Sequence, residues 1–314
     1  MSDLYDAAHT AVHQCLDLWE DESIAIVTDD ERRAIAEALY EVACEVTEDA
    51  TFVQYQPGSQ HGQEPPAPVA AAMQEADTFL APTTRSLSHT RARSAACEAG
   101  ARGATLPGIT EEVMVAGLNA DYEAIDEHSA NVKEQVAGAE EVRVTAPAGT
   151  DITFQTAGRE WHEDTGIIHD PGEFSNLPAG EVFVAPESAE GTFVVDGTMM
   201  PHGLLAEDQE LVFEVEDGHV THISDEAIRS DVEEASVDAG RAATNVAELG
   251  IGTNVGVEEL AGSVLLDEKA AGTVHIAIGD NASIGGDVEA PIHLDGIIRE
   301  PTVYADGEPI ALPR

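Results

Sequence analysis

The sequence predicts an α/β domain with a parallel sheet over residues 1–138, followed by an α+β domain over residues 139–314. Two observations carry this expectation. Up to Gly138, short apolar runs alternate with amphipathic stretches of helical length, the texture of βαβ units whose sheet is covered on both faces. From Glu141 onward, β-type runs follow one another closely with turn residues between them. No internal repeat is evident in either part.

In order, Asp3–Trp19 places Leu4, Ala7, Ala8, Val12, Cys15, Leu16 and Trp19 at helical spacing, which predicts an amphipathic helix. Glu22–Thr28 reads as a buried strand, and Asp29-Asp30 then cap a helix from Glu31 to about Val46. Thr51–Tyr55 is the next strand, and a Pro/Gly/Gln-rich loop follows. A short helix over Val69–Ala76, a strand over Thr78–Pro82, a helix over 86–100 and a strand over Ala104–Leu106 come next. Glu111–Leu118 and Ala120–Ala137 read as helices. In the second part, Val142–Ala146 and Asp151–Thr156 pair around a Pro-Ala-Gly turn. Strands follow at Glu181–Pro186, Gly191–Asp196, Leu211–Glu216 and His219–Ile223. Asp225–Leu249 reads as one helix, with Gly250–Gly256 as its stop, and 260–314 returns to strands.

Composition limits the function. The 314 residues carry 61 acidic and 14 basic side chains, a formal charge of −47, and 43% are apolar. Such a chain folds, but it offers phosphate no clustered Lys or Arg, so nucleic acid is excluded as a partner. Only Lys133 and Lys269 are lysines; the other basic residues are arginines. A dispersed acidic surface almost without lysine is the pattern of a halophilic protein, because molar salt screens its self-repulsion. Cys15, Cys44 and Cys97 are far apart and odd in number, which argues against a disulfide framework. No apolar run approaches the roughly 20 residues that span a bilayer, and the N-terminal stretch lacks a basic segment followed by a continuous apolar one. A cytoplasmic location without membrane contact is the expectation.

Several catalytic templates are missing. No GxGxxG follows the first strand, no GxSxG nucleophile elbow occurs, and HExxH is absent. His9 and His13 have the i, i+4 spacing of a helical metal pair but no acidic partner at the right offset, and read as surface residues.

The chemistry gathers in Leu266–Glu300. Two β-like runs, Thr273–Ile278 and Pro291–Ile298, carry His275 and the pair His293/Asp295. Residues i and i+2 of a strand face the same side. His293 and Asp295 can therefore share a target with His275 from a neighbouring strand, or simply form a polar strand face. Such N and O ligands suit Zn, Co, Mn or Fe. Glu181 opens an apolar strand after a Gly/Pro-rich loop, placed either to face a cleft or to stay solvated. Glu248 precedes a Gly-rich turn.

Those residues also carry a resemblance. GEFSNLPAGEVFVAPESAEGT, AELGIGTN, LLDEKAAGTVHIAIGDN and IHLDGIIREPTVYADGEPI, in that order, resemble the successive motifs of the M29 metallo-aminopeptidases, the aminopeptidase T and aminopeptidase S type. TTRSLSHTRARSAACEAGARGATLPGITEEV matches the family's N-terminal domain, so the likeness covers most of 80–310. It implies a homodimeric hydrolase that releases N-terminal amino acids from peptides. It further implies two divalent ions (Zn, Co or Mn) held by Glu181, Glu248, His275, His293 and Asp295, with the proton-shuttling carboxylate unassigned. The chain departs from the pattern in being shorter and in having Ala282 where the peptidases place a tyrosine. The same superfamily includes a ring-cleaving 2,5-dihydroxypyridine dioxygenase with one Fe(II) on two histidines and an aspartate. His275, His293 and Asp295 are the matching set. A relative that only binds metal is a third possibility.

Overall fold

The structure, a computed structural model, describes residues 3–314. The chain runs α1 (Asp3–His9), a π turn (Thr10–Cys15), β1 (Ile24–Thr28), α2 (Arg33–Val46), β2 (Ala50–Gln54), α3 (Ala67–Glu75), β3 (Thr78–Thr83), α4 (Arg91–Glu98), β4 (Arg102–Pro107), α5 (Glu111–Leu118) and α6 (Tyr122–Val136). It continues through β5 (Glu141–Thr145), β6 (Asp151–Gln155), β7 (His162–Asp164), β8 (Phe174–Asn176), β9 (Glu181–Val184), β10 (Ser188–Val195), β11 (Thr198–Met199), β12 (Gly203–Leu204), β13 (Leu211–Glu216) and β14 (His219–Ile223). The last elements are α7 (Glu226–Ala239), β15 (Val246–Gly252), α8 (Val264–Asp267), β16 (Val274–Gly279), β17 (His293–Ile298), β18 (Thr302–Ala305) and β19 (Glu308–Pro309).

Two compact units result, residues 1–126 with 165–179, and residues 127–164 with 180–314. The chain thus does not divide at a single point near 138. It leaves the first unit within α6, and the segment 165–179 returns to it, where β8 adds itself parallel to β4.

The first unit holds a parallel sheet in the order β2-β1-β3-β4-β8. All of β1 and β3 is buried, as a sheet covered on both faces requires. Val69 and Met73 of α3 and Ala96 of α4 pack against Ala25, Val27, Phe79 and Ala81. α2 buries Ile35, Ala36, Leu39, Val42 and Ala43, the stripe its periodicity predicts. Asp29 accepts from the backbone N–H groups of Glu31 and Arg32 at 3.1 and 3.3 Å, so it organises the turn and the helix proper starts at Arg33.

Three of the expected helices have other bounds than the sequence reading gives them. The first helix changes to the wider π turn at Thr10 and stops before Asp17, whose φ is +47°, leaving Trp19 outside it and 60% exposed. The helix expected over 86–100 is limited to Arg91–Glu98, because Thr90 caps it through the N–H of Arg93. The helix expected to reach Leu249 ends at Ala239, where Gly240 takes φ +61° and a short 3₁₀ turn follows. Beyond Asn245 the chain is extended, and Val246–Gly252 is a fully buried strand.

The second unit packs two mixed-order sheets face to face. One runs β14-β13-β10-β6-β5-β18-β19, the other β12-β11-β17-β16-β15-β9-β7. Their shared core takes Phe154, Phe193 and Phe213 from the first sheet, with the last two rings stacked at 4.5 Å, and Val182, Leu249, Ile276 and Ile298 from the other. Alternation along the strands then commits the opposite face of the second sheet to other side chains.

Candidate metal centre

That opposite face carries every residue singled out as a ligand. β17, β16, β15 and β9 are consecutive antiparallel neighbours. Val274, Ile276 and Ile278 of β16 point into the core, so His275 points away from it. β17 pairs Ile297 with His275, Asp295 with Ala277 and His293 with Gly279, which puts all of them on one side. On β9, Val182 and Val184 take the core and Glu181 the other face. A bulge between Val246 and Glu248 resets the alternation of β15, so that Leu249 and Ile251 pack inward and Glu248, Gly250 and Gly252 face the site.

Those glycines are no helix stop. Gly250 lies opposite His275, and a Cβ there would fall on its imidazole. Gly252 lies opposite Glu181, and a Cβ there would meet the backbone carbonyl of Ala270. Close approach of ring and backbone to β15 demands glycine at both positions.

The donors converge as two groups that share Glu248: Glu181–Glu248–His275 and Glu248–His293–Asp295. His275 Nε2 lies 3.3 Å from Glu181 Oε2 and 3.4 Å from Glu248 Oε1. His293 Nε2 lies 3.4 Å from Glu248 Oε2 and 3.3 Å from Asp295 Oδ1. Metal–ligand bonds of about 2.1 Å give donor–donor edges of about 3.0–3.4 Å, so this spacing fits a coordination shell. Glu181 Oε2 is buried without a hydrogen-bond partner, as is His275 Nδ1. His293 Nδ1 lies 2.7 Å from the carbonyl of Asp280, which can only accept, so Nδ1 carries the proton and Nε2 is turned to the carboxylates. The two histidines fall in different groups, so the expected His275–His293–Asp295 triad is not assembled by itself; Glu248 joins its members.

Charge follows geometry. Burial works against a charged His275, yet hydrogen bonding to Glu248 and the charges of Glu181 and Glu248 push it up to about 9. Burial likewise opposes charge on His293, and Asp295 overrides it, raising the imidazole well above its ordinary value. Burial lifts Glu181 to about 7 despite Lys269 and His275. Carboxylates that hold protonated imidazoles this firmly form a cluster suited to a cation.

Two residues here were not singled out from sequence. Lys269, 3% exposed, donates to Glu181 Oε1 and, at 2.9 Å, to Glu268 Oε1. Burial raises the carboxyl of Glu268 above its ordinary value. The scarcity of lysine was the available signal for Lys269. Ala282 lies in a 3₁₀ turn over Ala282–Ile284. Its polar neighbours are spent on the loop: Asn281 Oδ1 accepts from Val288 N–H at 2.9 Å and Asp280 Oδ1 from Ala290 N–H at 3.1 Å. Neither replaces a tyrosine hydroxyl. His9 and His13 have ring centroids 4.0 Å apart, and they belong to neither donor group.

A parallel α/β unit joined to a two-sheet unit with five such donors on one sheet face defines a protein with a candidate metal centre. Residues 3–312 match the NicX family, 2,5-dihydroxypyridine 5,6-dioxygenase, and the chain belongs to that family. Among solved structures it is similar to 2,5-dihydroxypyridine dioxygenase from Pseudomonas putida KT2440, with 20% identity, a TM-score of 0.79, and coverage of 100% of this chain and 97% of that one. It is also similar to wild-type AmpT from Thermus thermophilus, with 20% identity, a TM-score of 0.69, and coverage of 99% and 98%. Both likenesses carry the fold. No curated protein sequence matches. Among the described residues, no helix is long and apolar enough to cross a membrane.

Proposed function

We infer that the chain is a metal-dependent dioxygenase that opens the ring of a dihydroxylated pyridine. The family match over residues 3–312 carries this reading. Ala282 supports it, because the peptidase motif loses its tyrosine there and neither Asp280 nor Asn281 stands in. Glu248, His275, His293 and Asp295 would hold the ion, with Glu181 beside them. Iron in the divalent state would supply the redox chemistry that couples an electron-rich ring to dioxygen.

The protein's own residues do the rest. Glu248 spans both imidazoles and fixes their separation. The Asp280 carbonyl sets the His293 tautomer. Glu268, its carboxyl raised above its ordinary value by burial and paired with Lys269, would exchange a proton with a phenol-type hydroxyl of the substrate. Glu181 and His275 are buried, so that side of the cluster is closed to bulk water.

One observation favours a second reading. Two three-donor groups sharing a carboxylate resemble a two-ion hydrolase centre, which would suit an aminopeptidase. Anaerobic loading with Fe(II) followed by oxygen uptake with 2,5-dihydroxypyridine tests the first reading. Turnover of leucyl-p-nitroanilide after Co or Zn loading, without oxygen uptake, would replace it with the second.

A further inference from the structure

The loop between β16 and β17, residues 280–292, is bonded largely to itself. Asn281, 3% exposed, accepts the N–H groups of Ile284 and Gly286 on its carbonyl at 3.1 and 2.8 Å. Its Oδ1 accepts that of Val288 at 2.9 Å. Asp280 donates its own N–H to the Ile292 carbonyl at 2.8 Å and accepts the Ala290 N–H on Oδ1 at 3.1 Å. Such local bonds fix the shape of the loop. They do not fix where it sits on the sheet.

Among the described residues, two side chains from outside bond to the loop. One is His293, whose Nδ1 meets the Asp280 carbonyl at 2.7 Å. The other is Arg159, which lies between β6 and β7 and donates from Nη2 to the Gly285 carbonyl at 2.8 Å. Its Nε donates at 2.7 Å to the carbonyl of Ala185, the residue after β9. One guanidinium thus joins the strand that carries Glu181 to the loop that leads into His293.

These partners are unusual for this chain. With 14 basic residues against 61 acidic ones, Arg33, Arg102 and Arg143 pair with carboxylates at 2.6–2.7 Å. Arg159 instead gives two donors to backbone oxygens, while Glu187 stands 3.7 Å away on an exposed side chain. The loop also docks closely on β7. Gly285 takes φ +91°, and a Cβ there would stand 3.1 Å from His162 Nε2.

We propose that Arg159 is a positioning residue for the metal centre. It latches the loop to the end of β9, and the latched loop presents the Asp280 carbonyl to His293. That carbonyl holds the ring with Nε2 toward Glu248 and Asp295. Without the latch the loop shifts as a body, and the ring loses its fixed orientation. This rests on the five donors being a metal centre and holds for either reaction considered above.

The test compares wild type with Arg159→Met, Arg159→Lys and Glu187→Gln. In the metal-free protein, proton NMR detects the His293 Nδ1–H, whose exchange with water is slow while the Asp280 carbonyl holds it; His293→Gln assigns the signal. Titration calorimetry then measures affinity for Co(II). Arg159→Met is expected to lose the signal and to bind Co(II) about 10- to 100-fold more weakly, the range for lost support of a ligand. Glu187→Gln leaves both carbonyl contacts in place and is expected to match wild type. A folded Arg159→Met that keeps its affinity overturns the proposal, whether or not the signal is lost. Equal losses in Glu187→Gln overturn it too. Should Arg159→Met not fold, Arg159→Lys decides, because one ammonium serves two carbonyls poorly: weaker binding supports the latch and wild-type binding rejects it. Failure of the metal reading looks different, since wild type itself would then bind no Co(II).

Discussion

At the residue scale, the site depends on contacts that only small side chains permit. Gly250→Ala would drive its new methyl into the imidazole of His275. Displacing one ligand by that much is expected to lower metal affinity by at least about 10- to 100-fold, the range seen when ligand positioning is lost. Titration calorimetry on a variant with unchanged far-ultraviolet circular dichroism checks it, and undiminished affinity would mean that the ring has room to move. His275 gives a pH dependence. Its imidazole stays protonated up to about pH 9 in the metal-free protein, so binding must release that proton. His293, raised well above its ordinary value, must lose its proton as well, so affinity should climb by at least about tenfold per pH unit below about pH 9. Calorimetry in buffers of different ionisation enthalpy counts the protons; none released at pH 7 would contradict the assignment. All five donors were legible in the sequence as motifs. Lys269 and Glu268 were not, because ion pairing between a loop and a strand 88 residues earlier leaves no local pattern.

At the element scale, one buried arginine ties the first unit together. Arg102 on β4 donates to the carbonyls of Leu16, Asp17 and Ile168 and pairs with Glu22 at 2.6 Å. Arg102→Met would leave those acceptors without their donor and is expected to cost about 3–5 kcal/mol, as when one partner of a buried pair is removed. Urea unfolding measures it, and a midpoint within error of wild type would refute it. The hydrogen bond from Arg102 holds the Glu22 carboxyl below its ordinary value of 4.5. A carboxylate depressed in the folded state stabilises above its unfolded value, so this contribution is complete above pH 4.5 and fades as pH falls through the lower folded value. Most strands were legible, β13 for example coinciding with an alternating buried pattern. β15 was not. Its Ala-Glu-Leu-Gly sequence continues a helical pattern, and only the facing imidazole and the Ala270 backbone give its glycines a strand meaning.

At the scale of the whole molecule, a charge of −47 on 314 residues sets the conditions under which the fold holds. Self-repulsion is screened when the Debye length falls to roughly 3 Å near 1 M salt. The thermal midpoint should rise steadily with KCl, and a salt-independent midpoint would remove the halophilic reading. The return of 165–179 to the first unit was illegible because β8 is a short strand recruited by an existing parallel edge, not by its own periodicity. The family and the donor set together make one claim central: this cluster activates dioxygen against a hydroxylated pyridine. The most direct measurement is oxygen consumption by the Fe(II)-loaded protein in molar KCl with 2,5-dihydroxypyridine, read beside loss of the ring's absorbance. Equimolar uptake and ring loss, abolished by His293→Ala, is the predicted result; an intact ring and unchanged oxygen with a fully loaded centre would contradict it.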